Sequence, residues 1–423
     1  MEKETFLHVL KSTELRKKIL IVLGILVVVR LFASIPIPGV DVLRLKSFLA
    51  SNQLFGLFNL FSGGSFANFS IAMLGVGPYI TATIIMQLLM MVFPAIKEMY
   101  YEEGESGRMK FNQYARIATV PLALLQGFGF LRLLQSQQVI PALSPFDLAR
   151  NLILIIAGTM ILTWLGELIT EQKVGNGVSL IIFAGIVAGV PQSAWQLVQT
   201  YDPRLLPTYI GFVAMGLLVI AGVVFLNEGE RKIPVSYAKQ VRGSKVYGGV
   251  STYLPLRLIQ AGVIPIIFAI SVLLFPQFVT QVLAVFHIGW ATKAQDIVNA
   301  FYANQWFYNT AYFLLVVLFT YFYTAITFDP SEIAKNLQQF GGFIPGIRPG
   351  NSTADFITKV MGRITLFGAF GLGLVAILPN IIQAASGINS FRLGGTALLI
   401  VVSVAIETMK QVQSQVVMRE YEI

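Results

Sequence analysis

The sequence predicts an all-α, polytopic membrane protein, and three observations carry that prediction. Of 423 residues, 55% are hydrophobic and only 12% charged, about half the charge density of a soluble domain. The chain holds long uncharged stretches, among them Phe69 to Ile96, Leu258 to Thr292 and Ile364 to Phe391. Each exceeds the roughly 20 apolar residues that carry a helix across a bilayer core. The alternating segments of about ten residues that mark a membrane β-barrel are absent from the sequence.

Taken in order, the apolar runs between charge clusters predict ten spans, near residues 19–35, 69–93, 116–134, 150–169, 178–198, 208–227, 257–279, 307–328, 361–384 and 393–412. The last is the weakest, because Glu407 and Lys410 interrupt it. With the amino terminus placed in the cytoplasm, 22 of the 30 Lys and Arg fall at cytoplasmic ends and loops and 8 on or towards the other side. That asymmetry follows the positive-inside rule and puts both termini in the cytoplasm. Ten spans divide as five plus five. Because five is odd, a related second half is inverted in the membrane, the arrangement of proteins whose pathway lies between two repeats.

Several function classes lose support. No Walker loop, nucleophile elbow or catalytic carboxylate pair is present. The chain has no cysteine, and its two histidines, His8 and His287, are too far apart in sequence to suggest a ligand cluster, so neither a metal site nor a cofactor is predicted. Charges inside spans are few: Arg30 near the outer end of the first, and Glu167 and Glu407 near inner ends. An ion-coupled transporter usually needs more at the midplane.

The stretch before the second span is too short to cross a membrane, apolar, and broken by Ser62-Gly63-Gly64-Ser65. Val76 and Ile80 share one helix face, as do Ile182 and Ile186; alone, such pairs are what ordinary helix packing produces. Two polar loops are longer than topology requires. Residues 228–256 are rich in Arg and Lys interleaved with Tyr, and 329–360 carry the tip GGFIPGIRPG, from Gly341 to Gly350. Its prolines and glycines fix a turn that presents Arg348 at a corner. Two basic loops on one face predict docking of a large partner.

IPIPGVD (Ile35 to Asp41), GVGPYITATIIMQLL (Gly75 to Leu89), EGESGR (Glu103 to Arg108), GNGVSLIIFAGIVAG (Gly175 to Gly189), NEGERKIPVSYAKQ (Asn227 to Gln240), GGFIPGIRPG and GGTALLIVV (Gly394 to Val402) stand in the order seen in bacterial SecY. The chain resembles that family, the channel subunits of the protein-secretion translocon, over nearly its whole length. The resemblance implies two pseudosymmetric halves around a central pore, here 1–200 and 201–423. It implies an aliphatic ring at the waist formed by Val76, Ile80, Ile182, Ile186, Ile267 and Ile400. The broken segment matches the plug, residues 57–68, which includes Phe58, Leu60, Phe61, Ser62, Gly63, Gly64 and Phe66, and its serine and glycines are expected to act as a loose joint in a half-helix.

A lateral gate is implied between the second and seventh spans, with Ile84, Gln87 and Ile270 on it; Gln87 either steadies the closed seam or hydrogen-bonds within one half. Arg348, Arg231, Arg242 and Lys245 are the implied partner-binding residues. The implied partners are the small subunits SecE and SecG, the ATPase SecA or a ribosome, and the signal peptide, nascent chain and membrane lipids. The implied function is passage of unfolded secretory polypeptides across the bacterial cytoplasmic membrane and sideways release of apolar segments, without catalysis. An inverted-repeat solute or lipid transporter is the alternative.

Overall fold

Every predicted span contains a helix. The computed structural model describes residues 13–38, 59, 62, 64–66, 68–136, 138–199, 206–237, 240–242, 245–247, 251–260, 262, 264–285, 289–386 and 390–420. Helix α1 is Thr13–Ser34, α2 Gly77–Val92, α3 Pro94–Tyr101, α4 Gly104–Ser136, α5 Pro145–Glu171, α6 Gly177–Gln199 and α7 Leu206–Glu228. After the strands described below come α8 Ile264–Val285, α9 Gly289–Ala303, α10 Gln305–Thr327, α11 Pro330–Gln339, α12 Asn351–Ser386 and α13 Ser390–Glu420. Among the described residues six helices are long and apolar enough to cross a membrane, or seven if α2 and α3, bent by 108° about Phe93, count as one span. Pro94 explains the bend: it follows extended Phe93 and opens α3 at a position where its missing N–H is not needed.

Contacts group the chain into two compact units. The first takes in Met1–Tyr209, Ile270–Asn304 and Val404–Ile423, the second Ile210–Ala269 and Gln305–Ser403. In the first unit α2 packs on α4, α4 on α5, and α5 on α6 and α1. Glycine sets how closely the α5–α6 hairpin closes: a Cβ on Gly177 would stand 1.7 Å from the Gly166 carbonyl oxygen. The Gly177 N–H donates to the Thr170 hydroxyl at 2.9 Å, and the Asn176 side chain caps α6 by accepting from the Ser179 N–H at 3.1 Å. The GNG motif is therefore a tight helix-to-helix turn.

In the second unit α10 runs along α12. Gly371 on α12 faces Leu226 of α7, and Gly373 faces Phe313 of α10, so small residues let large neighbours approach, as membrane helices commonly do.

The two long loops depart from the all-helical expectation. Strands β1 (Glu230–Tyr237) and β4 (Ser251–Arg257) pair antiparallel from Glu230↔Arg257 to Ser236↔Ser251. Between them β2 (Gln240–Arg242) and β3 (Lys245–Tyr247) form a smaller hairpin. Strand β5 (Gly342–Phe343), from the other loop, joins β1 at Ser236↔Phe343 and Tyr237↔Gly342, giving the order β4-β1-β5. Pro234 is tolerated in this middle strand because β5 pairs only beyond it, leaving one edge of β1 open there.

Candidate functional site

Val76 caps the start of α2, and its carbonyl accepts from the Ile80 N–H at 3.0 Å, so the two side chains stand one turn apart. Ile182 and Ile186 occupy consecutive turns of α6, Ile267 the first turn of α8, and Ile400 lies in α13. All six are buried, at 0% to 8% exposure, whereas Leu217 on α7 and Leu318 on α10 are more than half exposed. A hydrophobic helix normally turns branched aliphatics outward to lipid as readily as inward. Burial sets these six apart from the exposed aliphatics, and they share it with core residues such as Ile155, Ile169 and Val219.

Asn59 is helical, but from residue 62 to Val76 the described backbone is not. Residues 62, 64–66 and 68–76 are turns ending in Val76, with an isolated bridge at Ser70. Ser62 is buried and works as an internal cap rather than as a loose joint: its hydroxyl donates to the Asn59 carbonyl at 3.1 Å and accepts from the Phe66 N–H at 3.0 Å. Gly64 donates to the same Asn59 carbonyl at 2.7 Å with φ of +82°, a left-handed conformation that glycine adopts at no steric cost. Phe66 is 1% exposed and meets Phe130 of α4 edge to face at 5.2 Å. One fully buried Phe contributes about 1.5–3 kcal/mol. Phe58, Leu60, Phe61 and Gly63 lie outside the described residues.

On α2, Ile84 is buried, and the Gln87 amide oxygen is buried with no hydrogen-bond partner among the described residues. Ile270 of α8 is buried as well. The sequence reading missed a partner for Glu167. Arg116 of α4 grips its carboxylate with two nitrogens, at 3.1 and 2.5 Å, and so ties α4 to α5 in the bidentate geometry that arginine favours.

The paired loops stand on their own aliphatic core, which includes Ile233, Val235, Leu256, Ile344, Ile357 and Met361. A Cβ on Gly342 would stand 3.0 Å from the Tyr237 ring, a tight fit that glycine avoids. The tip turns as its composition predicts, with Gly346 at φ +84° and Gly350 at +97°. The Arg348 carbonyl accepts from the buried Thr353 hydroxyl at 2.9 Å, while the Arg348 side chain is exposed. Arg231 is exposed on β1. Arg242 and Lys245 face each other across the β2–β3 hairpin; their side chains are outside the described set. Phe340, 76% exposed in the second loop, is an aromatic that charge counting had no means to find.

The SecY family model matches residues 70–409. Protein translocase subunit SecY of Thermus thermophilus is 45% identical over 430 residues, covering 99% of this chain and 97% of the relative. Those of Streptomyces scabiei and Mycobacterium tuberculosis are 42% and 40% identical, with 99% of this chain and 98% of each relative covered. Among solved structures, one described as a protein-conducting channel superposes with a TM-score of 0.68 at 19% identity, covering 93% of this chain and 91% of the other. A SecY structure reported for its plug domain gives 0.65 at 18%, covering 92% and 90%. The canine Sec61 of a ribosome–channel complex gives 0.63 at 17%, covering 93% and 91%.

Proposed function

The chain belongs to the SecY family, and from that premise we propose that it is the channel subunit of a protein translocase, with Val76, Ile80, Ile182, Ile186, Ile267 and Ile400 as its constriction. The observation that carries this assignment is the burial of all six branched aliphatics. Such a ring offers an ion no ligands and empties readily of water. Moving a bare ion into so apolar a place costs of order 20 kcal/mol in the idealised limit. An extended polypeptide brings its own side chains and is gripped as by a gasket.

In this reading the segment 57–68 plugs the closed channel, and the halves 1–200 and 201–423 are pseudosymmetric. The seam between α2 and α8 releases apolar segments into lipid. Ile84, Gln87 and Ile270 belong to that seam. Both termini and the strand-bearing loops lie in the cytoplasm of a bacterium, where Arg348, Arg231, Arg242 and Lys245 meet SecA or a ribosome. SecE and SecG complete the complex. Signal peptides and nascent chains are the substrates, and the chain itself carries out no catalytic step and uses no cofactor.

The test is deletion of Leu57 to Phe66 in the reconstituted complex. The closed state loses contacts that the open state never had, so the deletion shifts the population towards opening. Flickering resting conductance and acceptance of defective signal sequences are expected. A deletion that abolishes membrane insertion shows the segment to be structural. Saturable flux of a small solute, without polypeptide transport, favours the transporter alternative.

A further inference from the structure

The backbone joining the plug to the ring is held from two elements at once. On one side the Ile37 N–H donates to the Phe69 carbonyl at 2.8 Å and the Ile71 N–H donates to the Ile35 carbonyl at 3.0 Å, which pairs Pro36 with Ser70 antiparallel. On the other, α5 comes so close that a Cβ on Gly158 would lie 2.0 Å from the Ile71 carbonyl oxygen and 2.7 Å from its carbon. Only glycine leaves room for that backbone. Phe69 sits at φ +45°, a left-handed conformation that a bulky residue keeps only where its surroundings over-determine it. Phe69, Ser70, Ala72 and Val76 are each wholly buried.

Several described hydrogen bonds of the plug segment are internal to it. The Ser62 hydroxyl, the Gly64 N–H and the Ser65 N–H all donate within residues 59–62, so these bonds travel with the segment if it moves as a body. Among the described residues its bonds to the following chain include the Phe69 N–H to the Phe66 carbonyl at 3.0 Å, and the Ser70 N–H and hydroxyl to the Ser65 carbonyl at 3.1 and 3.2 Å.

We propose that residues 69–76 are a stationary anchor seated against Gly158, and that the plug is displaced wholly on the amino-terminal side of Phe69, so that Val76 keeps its place while the channel opens. The proposal rests on the plug reading above. It makes Gly158 a positioning residue: it touches no substrate and acts by holding the backbone that ends in Val76.

Because the chain has no cysteine, introduced pairs report without background. Pro36→Cys with Ser70→Cys locks the anchor. Facing residues of such a non-hydrogen-bonded pair have Cα atoms about 4.5 Å apart, within disulfide range. Phe66→Cys with Phe130→Cys, joined by a short thiol-specific bifunctional reagent, locks the plug. Each variant is reconstituted in the full translocation complex and assayed with the link closed and with it open.

The expected result is transport within about twofold of the reduced form for the anchor link, and at least about a tenfold fall for the plug link. If the anchor link blocks transport as strongly as the plug link, and reduction restores it, the segment moves; the proposal fails and the plug reading stands. If neither link slows transport, the plug stays in place during translocation and both fail. Separately, Gly158→Ala should raise resting ion conductance several-fold while transport stays within about twofold, because the displaced Ile71 backbone shifts Val76. Unchanged resting conductance in a normally inserted Gly158→Ala channel removes Gly158 from the proposal.

Discussion

The segment proposed as the plug and the platform of the paired loops are both irregular in a protein built of helices, and they are stabilised in opposite ways. The described residues of 62–66 carry no charge, bury Phe66, and make mostly short-range hydrogen bonds. Strands 230–237 and 251–257, with 342–343, pair in register over an aliphatic core and keep Arg231 and Arg348 exposed. A segment whose bonds are local can leave as a unit. A surface fixed by long-range pairing cannot move without losing many bonds together. On the proposed function, the segment that moves and the surface that meets a partner are therefore separate structures.

The harshest way to break the comparison is a charge beneath the platform. Ile357 is fully buried there, and an unpaired carboxylate in such a place costs about 4 kcal/mol or more. Ile357→Asp should open residues 230–257 to limited proteolysis and abolish partner-driven translocation, with resting conductance unchanged. A raised conductance would mean that platform and seal are not separate.

Arg348→Glu is the next largest test and leaves the platform folded. Reversing one exposed charge should cut ATP-driven translocation by about tenfold or more while expression and resting conductance persist. Arg348→Lys should fall between, since charge survives and the planar fork does not. Near-normal transport by the Glu variant reduces Arg348 to one topological charge among many.

On the other side of the comparison, changing Ile80, Ile182 and Ile267 to Ser together should wet the constriction and raise resting conductance in planar bilayers, with translocation retained. The smallest expected effect belongs to Gln87→Leu. Its buried amide oxygen lacks a partner among the described residues, a burden of about 1–3 kcal/mol. Removing it should stabilise the present conformation and slow acceptance of weak signal sequences a few-fold, measured as translocation of signal-sequence variants.

The helices within the predicted spans were legible because long apolar runs admit few other structures in a membrane, and helix ends beyond them, as at Asn351, follow from polar residues that continue the same helix into solvent. The turn at Gly346 and Gly350 was legible for a local reason too, since proline and glycine limit the backbone wherever they occur. The sheet was not. Pro234 and Pro255 argue against strands on local grounds, and the pairing of Tyr237 with Gly342 spans about a hundred residues that no short-range pattern connects. The seat at Gly158 hid for a similar reason: an isolated glycine inside a helix signals a close approach, but nothing in its neighbourhood names Ile71 as the group that approaches. The aliphatic pairs lay between these cases, ordinary by spacing and separated from lipid-facing residues only by burial.

The most direct test of the central claim, a polypeptide path through the six-residue ring, is site-specific photocrosslinking to a stalled secretory chain in the reconstituted complex. A photoreactive residue is placed in turn at Val76, Ile80, Ile182, Ile186, Ile267 and Ile400, and at the exposed controls Leu217 and Leu318. The account predicts crosslinks to the stalled chain from ring positions in both chain halves and none from the controls. Crosslinks from Leu217 and Leu318 at equal yield, or silence at every ring position while the chain remains stalled in the complex, would contradict it.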